Sequence, residues 1–482
     1  MLKVVYHLVD SFARDLFYLV ATQAAGSDIQ LEIATESPVI SNHMKHRGIR
    51  VAYLRDQVRK SVADARGLDT KAKQDFLATE FGVSVEDMTY SDAVISKKPL
   101  AYRATMSMAY LTVWTEYLKT ASPHLVLGTD GTETPNIAFC TAAARLGIPI
   151  VYTCGGSVFP GTIYWDRSIM LGEWVRKEYM EHGPSDADRE KVLQYIRRLT
   201  AERPVLGGLR PGILSRKRWA KAMRYYWNCV VKGRSRYYVL SPKAFFEPFL
   251  SRIRARAFYS QPDFDDKIIF FPLHVPNDAQ ITLRAPHFLQ QYTPVEMCSR
   301  NIPEGYTLYV KEHPHARARV PIDWLRKITS LPNVKLVDPH INAHDLIEKS
   351  HCIITVNSDV GWEALLHCKP VVVLAKPFYS GAGLTFDVDC FRYSGVSHVT
   401  FDHDSEKELH TKVRQAIAQQ RVDEEAVIRL VDAAMKSPYP GSYYNSQAEF
   451  NCESSNIKNL VDSILKAYSN LGKAGEPAMF QP

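Results

Sequence analysis

Short apolar runs recur along this chain, and helix-length stretches with one apolar face lie between them. Runs at 3–9, 31–35, 50–54, 125–128 and 148–152 form a first series. A second series falls at 268–275, 307–312, 334–338, 352–357, 371–375 and 397–401. Runs of this length read as buried strands. Strands that alternate with helices build a parallel sheet covered on both faces. Segment 12–25 sets Phe12, Leu16, Leu19 and Val20 on one side, and 136–146 is closed by Gly147; both have the pattern of covering helices. The expected fold is therefore α/β, with two Rossmann-like doubly wound domains.

At 482 residues the chain has room for both. The rhythm predicts a first domain over 1–166, with a helical insertion at 58–120. A connecting segment without strands follows at 167–266, and a second alternating domain at 267–402. Helices are expected over 403–472, with Ser405 and Glu408 fitting a capping box. Ile457, Leu460, Val461, Ile464 and Leu465 give that region a helical apolar stripe. The last stretch, 473–482, reads as a frayed tail.

The sequence has no apolar run near the ~20 residues a bilayer span needs, and its first residues turn acidic too early for a signal peptide. Eight cysteines without paired spacing do not form a disulfide framework, and no Cys/His spacing matches zinc. These features lead to a cytoplasmic expectation with no metal. The net charge of +7 is unevenly placed. Between Arg216 and Arg256 the only acid is Glu247, and Trp219, Tyr225, Trp227, Tyr237 and Phe245 are interleaved with lysines and arginines. That mixture suits an anionic membrane surface, here the inner leaflet, or a solvated helical face with aromatics in the core. No nucleic-acid-binding motif accompanies it.

The second domain carries the clearest candidate site. His313-Pro314 ends the strand at 307–312, since proline cannot continue the ladder. Asn357-Ser358 ends another strand and stands at an N-cap before a helical run. A helix start favours an anion, and ligands of open α/β sheets sit beyond the carboxyl ends of strands. His313 is a candidate donor toward a departing phosphate or a strand-end histidine satisfied by a backbone carbonyl, Asn357 and Ser358 are candidate phosphate contacts or a plain N-cap, and Gly361 permits close backbone approach. Glu363 is placed either to accept from ribose hydroxyls or simply to favour the helix dipole. Alternation lets only one of Lys311 and Glu312 face this side, and Lys311 is the better phosphate partner. Ser380, Gly381 and Gly383 form a loop expected to be flexible. In the first domain Asp130, in Thr129-Asp130-Gly131, is a candidate base or nucleophile, with Glu133 and Asp166 as rivals. Asp-Gly is also an ordinary turn signal.

Several stretches resemble one family. LYVKEHP (308–314), NSDVGWEALLHCKPVVVL (357–374), FYSGAGLT (378–385) and FFPLHVPNDAQIT (270–282) are similar to the capsule polysaccharide biosynthesis family. In the first domain, 146–166 resembles its LGIP and Pro-Gly-Thr segment. The family includes β-Kdo transferases that use CMP-Kdo. The resemblance implies a GT-B glycosyltransferase, its two domains facing a central cleft and its nucleotide held by the second. Asp130-Gly131 and His313-Pro314 also resemble the acid-Gly and His-Pro pairs of bacterial GT-B sialyltransferases, which likewise imply a CMP-activated acidic sugar. The chain departs from the family at Cys154-Gly155-Gly156-Ser157, where members carry a glutamate, and at Asn277-Asp278. The implied partners are a nucleotide sugar and a glycan or lipid-linked acceptor, with no cofactor. The missing glutamate keeps open a non-catalytic assembly or export factor on the same fold. A nucleotide-sugar epimerase shares the two-domain layout.

Overall fold

The computed structural model describes residues 1–9, 13–129, 131–155, 158–159, 161–166, 172–203, 223, 253–276, 278–314, 316, 320–388, 403–436, 438–443 and 451–473. These divide into two compact units. One is built from Met1–Glu178 and the chain from Ala433 onward, the other from Tyr179–Arg392 and Thr400–Asp432.

The first unit holds strands β1 (Leu2–His7), β2 (Ile29–Thr35), β3 (Val51–Tyr53), β4 (Leu125–Thr129), β5 (Ile150–Gly155) and β6 (Thr162–Asp166). The second holds β7 (Lys267–Pro272), β8 (Tyr306–Lys311), β9 (Val334–Val337), β10 (Ser350–Thr355), β11 (Val371–Val373) and β12 (Phe386–Asp387). A short β13 (Tyr439–Pro440) returns to the first sheet. The orders are β3-β2-β1-β4-β5-β6-β13 and β9-β8-β7-β10-β11-β12. Each follows the 3-2-1-4-5 pattern of a doubly wound sheet, whose order reverses beside its first strand. Neighbours are parallel except for β6, which runs antiparallel to both β5 and β13. Two Rossmann-like domains are what the strand–helix rhythm predicts.

Alternation along the strands explains the two covered faces. In the first sheet Val4, Tyr6, Leu125 and Leu127 pack with the helix Arg14–Ala24, while Val5, Val126 and Tyr152 pack with the helices Leu100–Ala121 and Thr134–Arg145. The predicted helical insertion is present as Arg55–Arg66, Thr70–Phe76, Val85–Thr89 and Leu100–Ala121. In the second sheet Leu308, Val310, Phe271 and Ile354 face the helices Tyr292–Asn301, Ile322–Thr329 and His403–Gln419.

The helices expected over 403–472 are present as His403–Gln419, Glu424–Lys436 and Ser454–Lys473, and they divide between the two units. The helix His403–Gln419 packs in the second unit, and Ser454–Lys473 packs in the first. The cause is the stripe Ile457, Leu460, Val461 and Ile464, which joins the core on the Val4 side of the first sheet and packs the helix against Arg14–Ala24, β6 and β13. Ser463 Oγ there accepts the buried Trp165 Nε1–H at 2.8 Å. Ser405 is not a cap, because the helix already begins at His403. Most of the basic and aromatic segment 216–256, the strand expected at 397–401 and the tail at 474–482 lie outside the described residues.

Candidate functional site

In the second unit, Lys311 pairs with Pro272 and Ile353 with Phe270. That register sets the last residues of β8, β7 and β10, namely Lys311, Pro272 and Thr355, at one level. Two residues further on stand His313, His274 and Asn357. His313 and Asn357 thus flank His274 at the carboxyl edge, roughly 10 Å apart by the ~4.8 Å strand spacing. The edge between β7 and β10 is the switch point of this sheet, where such folds bind ligands.

The sequence reading passes over His274, which is at the centre of this edge. Its imidazole is buried and its Nε2 accepts the Asn357 N–H at 3.3 Å. Burial pulls its pKa down to about 4, against a smaller opposing effect of Asp278. The available signal is its position: Phe271-Pro272-Leu273-His274 parallels Val310-Lys311-Glu312-His313, with a histidine two residues past an apolar strand in each.

Asn357 has a larger structural role than the sequence indicates. It is buried, and its Nδ2 donates to Gln280 Oε1 at 2.9 Å. Ser358 is the N-cap of the helix Asp359–Leu366, with Oγ accepting from Val360 N–H at 3.2 Å. That first turn also carries Asp359, whose charge counters the helix dipole's attraction for an anion. The close approach that Gly361 permits is taken by Tyr379. A Cβ there would stand 2.8 Å from Tyr379 Cζ and closer still to its hydroxyl.

Lys311 and Glu312 take separate environments, as alternation requires. Glu312 is fully buried and accepts from the Tyr259 hydroxyl at 2.5 Å. Lys311 lies among Glu363, Asp338 and Glu312, and burial pulls its pKa down to about 8 against their opposing charges. Burial pushes Glu363 up to about 8; Asp359 adds to the rise and Lys311 opposes it. Both groups are buried, and each feels the other's charge. The loop at 380–383 makes local hydrogen bonds of its own. Gly381 N–H donates to Asp387 Oδ2 at 2.9 Å, and Ser380 Oγ donates to the Pro377 carbonyl at 2.8 Å.

In the first unit Asp130 lies outside the described residues. Glu133 precedes the helix Thr134–Arg145 at the carboxyl end of β4, and its Oε2 accepts from Asn136 Nδ2 at 3.1 Å. A Cβ on Gly131 would meet both of those side chains. Buried Asp92 holds this helix start, accepting Thr134 N–H at 2.9 Å and Thr134 Oγ1–H at 3.1 Å. Asp166 is buried and ends β6, where it pairs with Tyr152, itself level with Gly128 near the end of β4. Glu36, another residue the sequence reading does not single out, follows the end of β2 and accepts the Tyr110 hydroxyl at 3.1 Å. Burial pushes its pKa up to about 7, against the Tyr110 hydrogen bond and nearby Arg55. Among the described residues no group of three or more His, Cys, Asp or Glu side chains could hold a metal ion. None of the described helices is long and apolar enough to cross a membrane.

Residues 250–416 match the family model described as capsule polysaccharide biosynthesis protein. That range contains the 270–282, 308–314, 357–374 and 378–385 stretches, so the resemblance read from them stands; 146–166 falls outside it. Protein FixF of Sinorhizobium fredii is 30% identical over 126 residues, 25% of this chain. The match spans 30% of that relative's length. Among solved structures, the KpsC β-Kdo 2,4 transferase of Thermosulfurimonas dismutans is 14% identical, covering 71% of this chain and 88% of that one at a TM-score of 0.37. HepE of Anabaena, in complex with UDP-glucose, is 13% identical, covering 97% and 100% at a TM-score of 0.29. Overlaps this loose carry no chemical argument.

Proposed function

We propose that this protein is a glycosyltransferase of capsule or surface polysaccharide biosynthesis. Its donor is a CMP-activated ulosonic acid, Kdo or a close analogue, and its acceptor a glycan or lipid-linked saccharide. The observation that carries the reading is the carboxyl edge of the second sheet. His313, His274 and Asn357 stand level at its switch point beside the Ser358 cap and Lys311, within the stretch that matches the capsule family. The ammonium of Lys311, the His313 side chain and the first-turn N–H groups offset charge on the departing nucleotide, with no metal ion. Proton transfer at the acceptor hydroxyl falls to a carboxylate of the first sheet's edge, Asp130 or Glu133, with Glu36 as a third candidate. The basic and aromatic segment 216–256 keeps the enzyme at the inner leaflet, where a lipid-linked acceptor lies.

Thermal melting with CMP, UDP and GDP at saturating excess tests the donor class, since a bound ligand raises the melting temperature. A rise with CMP alone is expected; a rise only with UDP or GDP rejects the CMP reading. Release of CMP from CMP-Kdo, compared between wild type and Asp130→Asn, separates an enzyme from the non-catalytic assembly factor that the acid-free stretch 154–157 leaves open. Sedimentation with anionic liposomes at low salt tests the membrane role, and no binding there discards it.

A further inference from the structure

The exit of β10 is held differently on its two sides. Toward β11 the ladder continues beyond the strands: Leu374 N–H donates to the Thr355 carbonyl at 2.9 Å and Ala375 N–H to the Val356 carbonyl at 3.1 Å. Toward β7 the next backbone donor, Asn357 N–H, meets the ring of His274 at 3.3 Å. A backbone N–H can only donate, so Nε2 must present its lone pair. A neutral imidazole then carries its proton on Nδ1.

His274 is itself fixed. Its own N–H donates to Gln291 Oε1 at 2.6 Å, and Gln291 Nε2 donates back to the His274 carbonyl at 3.1 Å. Gln291 directly precedes the helix Tyr292–Asn301. On the far side, Asn357 Nδ2 reaches Gln280 Oε1 in the short helix Ala279–Thr282. His274, Gln291 and Asn357 are 6%, 1% and 4% exposed, so water does not compete for these bonds. The chain Gln291–His274–Asn357–Gln280 ties together the segments that meet at the switch point, one residue before the Ser358 cap.

We propose that His274 is a positioning residue for the nucleotide site. Its Nε2 accepts the Asn357 N–H and thereby sets where the first turn of the helix Asp359–Leu366 presents its cap and N–H groups. The role rests on reading this edge as the nucleotide site. It also assigns a function to a histidine too buried to be the main ligand contact.

The two amide replacements separate the ring's nitrogens. In His274→Gln the side-chain oxygen can reach the Nε2 position and keep the acceptor. In His274→Asn the amide reaches only the Nδ1 position, and Asn357 N–H loses its partner. The test combines nitrogen-15 NMR of histidine-labelled wild type with calorimetric titration of CMP, UDP and GDP into all three proteins. The His274 signal, assigned by its loss in His274→Gln, is expected to show a protonated Nδ1 and a bare Nε2. The nucleotide that binds wild type is expected to bind His274→Gln within about threefold and His274→Asn about tenfold more weakly, the scale of one lost buried hydrogen bond. A protonated Nε2 overturns the proposal whatever the nucleotide does. Equal affinity of the two variants also overturns it and leaves the functional reading standing. If UDP or GDP binds where CMP does not, the donor assignment fails and His274 is judged on the nucleotide that binds. Wild type that binds none of the three overturns both.

Discussion

The Tyr379 hydroxyl occupies the space that a side chain on Gly361 would need, and it donates to the Ser358 carbonyl at 2.6 Å. One glycine thus lets a buried phenol lock the turn that caps the helix Asp359–Leu366. Two effects oppose each other in Gly361→Ala. Alanine is better than glycine in a helix by ~1 kcal/mol. Overpacking a buried site costs ~1–3 kcal/mol. The ring is 1% exposed and Trp362 and Phe378 pack beside it, so it has little room to yield. Gly361→Ala is expected to destabilise the protein by about 1–2 kcal/mol, with partial recovery when Tyr379→Phe is added. Urea denaturation of the single and double variants checks this; an unchanged midpoint in Gly361→Ala contradicts the packing account.

Under the proposed function, buried Lys311 and Glu363 should give nucleotide binding a pH dependence. Lys311 is cationic below its pKa of about 8, and Glu363 is one of the charges that keep that value from falling further. Affinity for CMP should weaken as pH rises through about 8, by up to about tenfold per pH unit. Removing the carboxylate in Glu363→Gln lowers the Lys311 pKa, so the weakening should begin at lower pH. Calorimetric titration between pH 6 and 9 measures both curves. Wild-type affinity that stays flat through pH 8 would remove Lys311 from the site, and coincident profiles would remove Glu363 from its control.

Acid should destabilise the second unit through its neutral histidines. His344 Nδ1 and His367 Nε2 lie 2.9 Å apart, and burial pulls His344 down to about 4, aided by His367 and Arg203 and opposed by Glu348 and Asp345. A histidine whose folded pKa is below its unfolded value of about 6.5 favours the fold when neutral. Its contribution is complete above that unfolded value and is lost as pH falls toward about 4. His274 acts in the same direction over the same window. Melting temperature should therefore fall between pH 6.5 and 4, less steeply in His344→Gln. An identical slope in the variant counts against this assignment.

Asp92 is expected to be a stability residue of the first unit. Besides Thr134, its carboxylate accepts Val94 N–H at 2.9 Å and Ile95 N–H at 2.8 Å. Asp92→Ala strips these buried donors and the cap of the helix that begins behind Glu133. A loss of roughly 2–4 kcal/mol follows from the unmet donors and the lost cap. Asp92→Asn, which keeps one acceptor oxygen, should lose less. Equal stability of Asp92→Ala and wild type in urea would rule the cap out.

The sequence makes the strands and helix faces legible because burial imposes a period of two or 3.6 on neighbouring residues. His313, Ser358 and Lys311 stand out as candidates for the same reason: each lies at or just past the end of an apolar run. His274 acquires its role from a residue 83 positions away, and Asp92 from one 42 positions away. Register across a sheet determines such pairings, and local pattern does not record it. Gly361 likewise reads as a place of close approach, but the side chain that approaches, Tyr379, belongs to another loop.

The return of the chain to the first sheet yields the last prediction. The helix Ser454–Lys473 has a legible stripe, yet nothing local says which sheet it covers. In the structure it packs against the helix Arg14–Ala24, β6 and β13 and accepts the Trp165 Nε1–H at Ser463 Oγ. Ser463→Ala leaves that indole N–H buried without its acceptor, at a cost of about 1–3 kcal/mol. Ending the chain after residue 450 removes the helix and strips Arg14–Ala24, β6 and β13 of the apolar stripe that packs on them. Each fully buried large apolar side chain contributes ~1.5–3 kcal/mol, so losing the four of the stripe, ~6–12 kcal/mol, is comparable to the ~5–15 kcal/mol margin of a typical domain. The truncated protein should bind a hydrophobic dye and lose protease resistance in residues 1–178, while 179–432 keeps nucleotide binding. Protease resistance of 1–178 in the truncated protein would show that the first sheet does not depend on this helix.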